Sequence, residues 1–321
     1  MELSRGIFWA RIPLPFKPSH VNIWLLADDI GWTVIDAGID TADARDALLM
    51  VLDSVGRPSI NHVLVTHSHI DHVGLAGWLC QETGARLAMS RTEWLQARAL
   101  QIDAVSVQSA AFFRVAGAPA ALLDELPGYL KWMADNTRLL PPTFDRRAAG
   151  ERLSIGGRCW KVLTGGGHSS EQIMLHCPEA DILIAADHLL PKINPAISAR
   201  PEEPFSDPLE EGFASLALLE TLPGGTLVLP SHGEPFHGIS PRCRAARDHH
   251  EARLKSLISY LPDGLSAFDA LALIFRPGLP LSALRIPLAE CWALLVHLEI
   301  SGHASSFVDG EGIRRFVKKH R

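Results

Sequence analysis

Cysteine is scarce and unpaired in this chain. Five residues (Cys80, Cys159, Cys177, Cys243 and Cys291) are scattered along the sequence, odd in number, with none in a CxxC pair. That pattern argues against a disulfide framework and fits free thiols in a reduced, cytoplasmic setting. Long apolar runs are also missing: none reaches the roughly 18 to 20 residues of a membrane span. The stretch Met1 to Pro15 mixes Glu2, Arg5 and Arg11 with apolar residues and lacks the charged, apolar, small order of a signal peptide. No repeat of fixed period is present. Positive charge is not in excess, with 30 Lys and Arg against 36 Asp and Glu and a formal net charge of -6. A general nucleic-acid binder needs the opposite balance, so the expected partner is a small molecule, with neither membrane nor nucleic acid.

What the chain does have is the material of a folded protein, 47% hydrophobic and 21% charged residues over 321 positions. That is enough for one large domain with a core and a small appended one. The first ninety residues alternate strand-like and helix-like text. Val21 to Leu26 and Trp32 to Ile35 read as strands, the second ending at Asp36-Ala37-Gly38. Ala42 to Val55 has helical apolar spacing, and Val63-Leu64-Val65 is a short strand running into a histidine cluster. Val73 to Thr83 reads as a helix and Arg86 to Met89 as a strand, an alternation that implies an α/β layered structure.

Residues 91 to 140 change character, becoming helical and rich in Trp94, Leu95, Phe112, Phe113, Tyr129, Leu130 and Trp132, closed by Pro141-Pro142. An inserted helical cap is one reading; packing on the core or on a second subunit, as in a homodimer, is the other. Strand text returns at Arg158 to Leu163, Ile173 to His176, Ile182 to Ala185 and Thr226 to Leu229. From about Pro241 the text is mainly helical and ends in a short basic tail, Arg314 to Arg321. The expected division is a catalytic domain over 1–240 and a small C-terminal helical domain over 241–321.

The chemistry concentrates at His67-Ser68-His69-Ile70-Asp71-His72, four metal-competent residues in six positions directly after a strand. Imidazole with carboxylate suits zinc, iron or manganese. His168, Asp187 and His232 each follow a strand-like segment as well. Loops at one end of a sheet gather on one face, so these four segments are expected to converge.

The pattern H-x-H-x-D-H at 67 to 72, followed by His168, Asp187 and His232, resembles the metallo-β-lactamase superfamily. The likeness covers roughly residues 15 to 240 and includes Asp36-Ala37-Gly38. It implies an αββα sandwich carrying two divalent metal ions at one edge, zinc first, with iron or manganese as alternatives. By position, His67, His69 and His168 would hold one ion, Asp71, His72 and His232 the other, and Asp187 would bridge. Asp36 would stand behind the ligands, fixing the loop or an imidazole. Around His168 the text is Gly167-His168-Ser169-Ser170-Glu171-Gln172. The second histidine usual in the glyoxalase II group is missing there. The stretch from Asp187 to Ser198 resembles a bacterial branch with a C-terminal winged-helix-like domain.

Two such ions can share a water and lower its pKa, yielding a bridging hydroxide for attack on an electrophilic carbonyl or phosphoryl centre. Asp71 could orient that nucleophile while serving as ligand, so neither serine nor cysteine is needed. His188, Lys192, Asn194, Ser198 and His237 are candidates for substrate contact by their nearness to Asp187 and His232 in sequence. The leading expectation is a hydrolase of thioesters, esters or lactones. A phosphodiesterase or nuclease and a mononuclear iron persulfide dioxygenase are the competing ones.

Overall fold

The computed structural model describes residues 1–102 and 107–319, so His320 and Arg321 of the basic tail lie outside it. Seven strands form the first sheet in spatial order: β1 (Glu2–Ser4), β2 (Ile7–Pro13), β3 (His20–Leu26), β4 (Trp32–Ile35), β5 (Ile60–Leu64), β6 (Arg86–Met89) and β7 (Asp145–Arg146). The pairs from β1 to β4 are antiparallel and those from β4 to β7 parallel. The second sheet has β8 (Arg152–Ile155), β9 (Arg158–Gly165), β10 (Gln172–Cys177), β11 (Ile182–Ala186) and β12 (Leu227–Pro230), with only β11 and β12 parallel.

Side-chain alternation along the strands builds the layers. In β3, Trp24 and Leu26 point into the space between the sheets, where they meet Trp160, Ile173 and Ile184 of the second sheet. Val21, Ile23 and Leu25 point the other way, onto helices α1 (Ala42–Ser54), α2 (Ile70–Val73) and α3 (Ala76–Thr83). On the outer face of the second sheet, Leu163, Met174 and Leu183 pack under helices that follow later in the chain. The result is the expected αββα sandwich. Local signals set the helix ends: the Thr41 hydroxyl accepts from Ala44 N at the start of α1, and Gly84, with φ 72°, ends α3.

The insert consists of α4 (Arg91–Ile102), α5 (Val107–Val115) and α6 (Ala120–Asp135). After it come α7 (Pro208–Glu220), α8 (Ile239–Tyr260), α9 (Ala267–Ile274) and α10 (Arg285–Ile300). The 240/241 boundary falls in the first turn of α8. Ile239, Cys243 and Ala246 of that helix pack on the second sheet, while Leu254 and Leu257 belong to a different core. That core joins Phe112, Phe113, Leu122 and Leu126 of the insert to Leu288, Trp292 and Leu295 of α10. The insert therefore has its partner within the same chain. Two points of the sequence reading change. The N-terminal segment read only as mixed text forms β1 and β2, and most of the basic tail is a strand, β14 (Arg314–Lys318), paired antiparallel with β13 (Ala304–Val308). Among the described residues no helix is long and apolar enough to cross a membrane.

Phe112 is the hinge of the shared core, its ring centroid 5.1 Å from Phe113 and 5.2 Å from Trp292. Phe112→Ala is expected to cost about 3 to 5 kcal/mol, as ring deletions from close-packed cores do. Urea unfolding followed by circular dichroism should show a correspondingly lower midpoint; an unchanged midpoint would mean that the insert does not depend on α10.

Candidate metal centre

The centre is built at strand ends. Asp36 follows β4 and takes a left-handed backbone, φ 61°, a conformation that aspartate tolerates better than most residues. Its buried carboxylate accepts Thr66 N at 2.7 Å, Thr66 Oγ1 at 2.9 Å and His72 Nδ1 at 2.8 Å. Thr66 Oγ1 also lies 2.9 Å from His67 Nδ1 and, having donated to Asp36, accepts there. Both imidazoles thus present Nε2 to the interior. Elsewhere backbone carbonyls do the same job, and since a carbonyl can only accept, the ring nitrogen facing it carries the proton. His168 Nδ1 donates to Ala196 O and His232 Nδ1 to His20 O, each at 2.8 Å.

The inward atoms converge. His67, His69 and His168 form one set of ligand atoms lying within 4.8 Å of one another; His67, His72 and Asp187 form a second, and Asp71, His72 and His232 a third. Asp187 sits between the halves, with Oδ2 3.2 Å from His168 Nε2 and Oδ1 3.5 Å from His232 Nε2. His72 Nε2, His168 Nε2 and Asp187 Oδ1 are buried without a hydrogen-bond partner. Buried polar atoms are rarely left so, and three of them within the convergent sets fit bound cations.

Charge divides the cluster. Burial, reinforced by neighbouring histidines, pushes His67 well down and His69 to about 3, so both are neutral. Burial opposes charge on His72 and His232 too, but there the carboxylates win. Asp71, Asp36 and Asp187 hold His72 well above its ordinary value, and Asp187 with Asp71 raises His232 to about 10. Burial would raise the two carboxyls, yet the same histidines bring Asp71 down to about 2 and Asp187 well below the usual range.

Several supports had no sequence signal. Glu93 of α4, fully buried, accepts Ser68 N at 2.8 Å through one oxygen, and Glu171 N at 2.8 Å and the Ser169 hydroxyl through the other. It clamps the loop of His67 and His69 to that of His168. The Gln172 amide oxygen accepts from Asp187 N and from His188 N and Nδ1. Asn22 Nδ2 donates to Pro230 O at 2.8 Å and Gly233 O at 2.9 Å, holding the His232 turn. A Cβ on Gly167 would stand 2.6 Å from the Gly212 Cα, and its φ is 109°, so only glycine lets the His168 loop lie against α7.

The five residues considered for substrate contact lie outside the ligand sets themselves. His188 is buried behind His168, tied to Gln172 and lowered to about 4 chiefly by burial. The Asn194 side chain accepts from Arg242, which also binds the carbonyls of Leu190 and Ile193 and so pins the proline-rich loop. His237 is exposed and donates to Gly225 O, at the end of β12 remote from His232. Lys192 is exposed and the Ser198 hydroxyl is buried without a partner. None of them joins the three ligand sets, although His188 lines a small cavity together with His168, Pro195 and Ile197.

The carboxylates favour the charged form of His72 and His232 while burial favours the neutral form of His67 and His69, so metal binding is expected to release protons from the first pair. Zinc titrations in buffers of different ionisation enthalpy are expected to show one proton fewer released by His232→Asn than by the native chain at pH 7.5. Equal release would show that His232 is not protonated beforehand. Glu93→Ala, which leaves three loop donors unsatisfied, is expected to weaken metal retention about 10- to 100-fold in competition with a chelator, the range usual for groups that orient ligands.

Comparison with known proteins agrees with this geometry. The chain is 34% identical to a solved beta-lactamase domain protein from Burkholderia ambifaria, covering 99% of this chain and 94% of that one with a TM-score of 0.93. It is 26% identical to the probable metallo-hydrolase YqjP of Bacillus subtilis (strain 168), over 97% of each chain. It is also 24% identical to a hydroxyacylglutathione hydrolase of Rhodobacter capsulatus, over 80% of this chain and 79% of that one. Residues 16–232 match the family model of the metallo-beta-lactamase superfamily, and the chain belongs to that superfamily.

Proposed function

We propose that this metallo-hydrolase holds two divalent ions, one by His67, His69 and His168 and one by Asp71, His72 and His232, with Asp187 shared, and that it hydrolyses a carboxyl derivative, thioesters foremost. The observation that carries the reading is the placement of Asp187 between the two histidine sets, within 3.2 Å of one and 3.5 Å of the other. The ions would supply a water of lowered pKa and positive charge for the oxyanion that develops at the carbonyl. Asp71, kept ionised by His72 and His232, would accept a hydrogen bond from the attacking water and orient it.

The leaving group bears on the substrate. Protonating a poor leaving group needs an acid with a free proton near the reacting atoms. The outer nitrogens of His67, His72, His168 and His232 are all engaged, and His188 is neutral and turned toward Gln172. A thiolate, whose parent thiol has a pKa of roughly 8.5, leaves without such help. The relative from Rhodobacter capsulatus, by its name a thioester hydrolase, supports the same choice. Nucleic-acid hydrolysis finds no such support. The net charge is -6, and α10 is buried around most of its circumference, so that helix cannot enter a groove.

Purified enzyme is expected to carry about two divalent ions per chain by elemental analysis and to hydrolyse simple acyl thioesters. Activity should be lost on chelation and restored by zinc or manganese. Asp187→Ala should lower kcat/KM by at least about two orders of magnitude, more than the loss of an orienting neighbour. One iron per chain, with oxygen consumption and no thioester hydrolysis, would overturn the proposal.

A further inference from the structure

Sheets end in edge strands, whose unpaired N–H and C=O groups invite a further strand unless something blunts them. Most edges of this molecule are blunted. β1 is three residues long and carries Glu2, β7 consists of Asp145–Arg146 alone, and β8 begins with Arg152. β12 is covered by Phe236, which exchanges backbone hydrogen bonds with Val228 in both directions. The exception is the C-terminal hairpin. β13, Ala304-Ser305-Ser306-Phe307-Val308, holds neither charge nor proline, and among the described residues β14 is its only sheet neighbour. Phe307 is 50% exposed and Val308 57%.

The hairpin's own hydrogen bonds show which groups face outward. Asp309 N donates to Ile313 O at 2.9 Å, and Lys319 N donates to His303 O at 3.1 Å. With Val308 opposite Arg314 and Ala304 opposite Lys318, the residues of β13 bonded to β14 are therefore the odd-numbered ones. Ala304, Ser306 and Val308 turn their N–H and C=O groups to the open side. On β14 the alternation runs the same way, since Phe316 turns from β13 and exchanges bonds with Leu265.

An antiparallel second copy matches that edge. With a two-fold axis at Ser306, Ala304 faces Val308 of the second copy, Ser306 faces its own counterpart, and all the outward groups pair. Any other register leaves some of them unpaired. The same register sets His303 opposite Asp309 of the second copy at both ends, an imidazole against a carboxylate, and no like charges meet. The cations of β14 (Arg314, Arg315 and Lys318) lie one strand further out on each side. With strands about 4.8 Å apart, they stand roughly 14 Å from those of the second copy, beyond a Debye length at physiological salt. On the exposed face Phe307 meets Ser305 of the second copy and lies diagonal to its Phe307, a spacing of about 7 to 8 Å that aromatic rings can bridge.

We propose that the outer edge of β13 is an interface between two copies of this chain, their hairpins joining into one four-stranded antiparallel sheet. The contact is small beside a standard interface, so the dimer is weak and depends on concentration. The proposal is independent of the reaction at the metal centre.

Sedimentation equilibrium of the full chain, run from micromolar to near-millimolar concentration, is expected to show reversible dimerisation. Val308→Lys puts a charge on the edge, and Phe307→Ser removes the exposed ring without adding one. Each should raise the dissociation constant at least tenfold while leaving the circular dichroism spectrum unchanged. A chain that stays monomeric throughout, or a dimer that neither variant weakens, overturns the proposal. Cross-linking reads the register. Residue 305 faces residue 307 of the second copy as a non-hydrogen-bonded pair, with Cα atoms about 4.5 Å apart and within disulfide range. Ser305→Cys and Phe307→Cys chains, mixed under mild oxidation, should therefore cross-link to each other well above the background of the native chain. Mixed cross-linking that is absent, or no stronger than that of either variant with itself, overturns the proposal.

Discussion

The Asp36 carboxylate is the junction on which the centre depends. It joins the end of β4 to the residue just past β5 and to the imidazole of His72, all inside the protein. Two adjacent parallel strands are thereby held at a fixed offset where their loops begin. Through Thr66 the same carboxylate reaches His67, so that one acidic side chain sets the ring orientation of residues in both halves of the cluster. Exchanging such a group for a neutral one would leave a buried amide, a hydroxyl and a ring N–H competing for acceptors that the core does not supply.

The electrostatics follow from that arrangement. Seven polar side chains packed below two sheet edges would repel or desolvate one another if each kept its ordinary ionisation. Instead the half near His67 and His69 is neutral, and the half near His72 and His232 forms ion pairs with Asp71 and Asp187. Each half satisfies burial in its own way. On the proposed two-ion reading, a cation entering the neutral half would meet ready ligands, whereas one entering the other half would first compete with protons.

The strand-helix alternation of the first ninety residues and the histidine cluster were legible because both are short-range patterns: period-two and helical spacing for the one, ligand types packed into six positions for the other. His168, Asp187 and His232 were legible because each follows a recognisable strand. Glu93 was not, since a glutamate in the first turn of a helix looks like an ordinary exposed acid until the fold shows it buried between two loops. The local partners of Asn194 and His237 were hidden as well: Arg242 and the Gly225 carbonyl come to them from other parts of the chain. The partner of the insert was equally hidden, because an apolar helical face records that something covers it but not what, and here the cover arrives with α10.

That shared core has a consequence for the order in which the molecule comes into being. His232, the last member of the cluster, leaves the ribosome well before α10 does. A nascent chain can therefore close both sheets and gather its metal-binding atoms while the insert still lacks the helix that covers it. The core around Phe112 is completed last, by helices from the insert and from the C-terminal segment. The interval before α10 arrives is when exposed Phe112 and Phe113 make the chain most dependent on protection from aggregation.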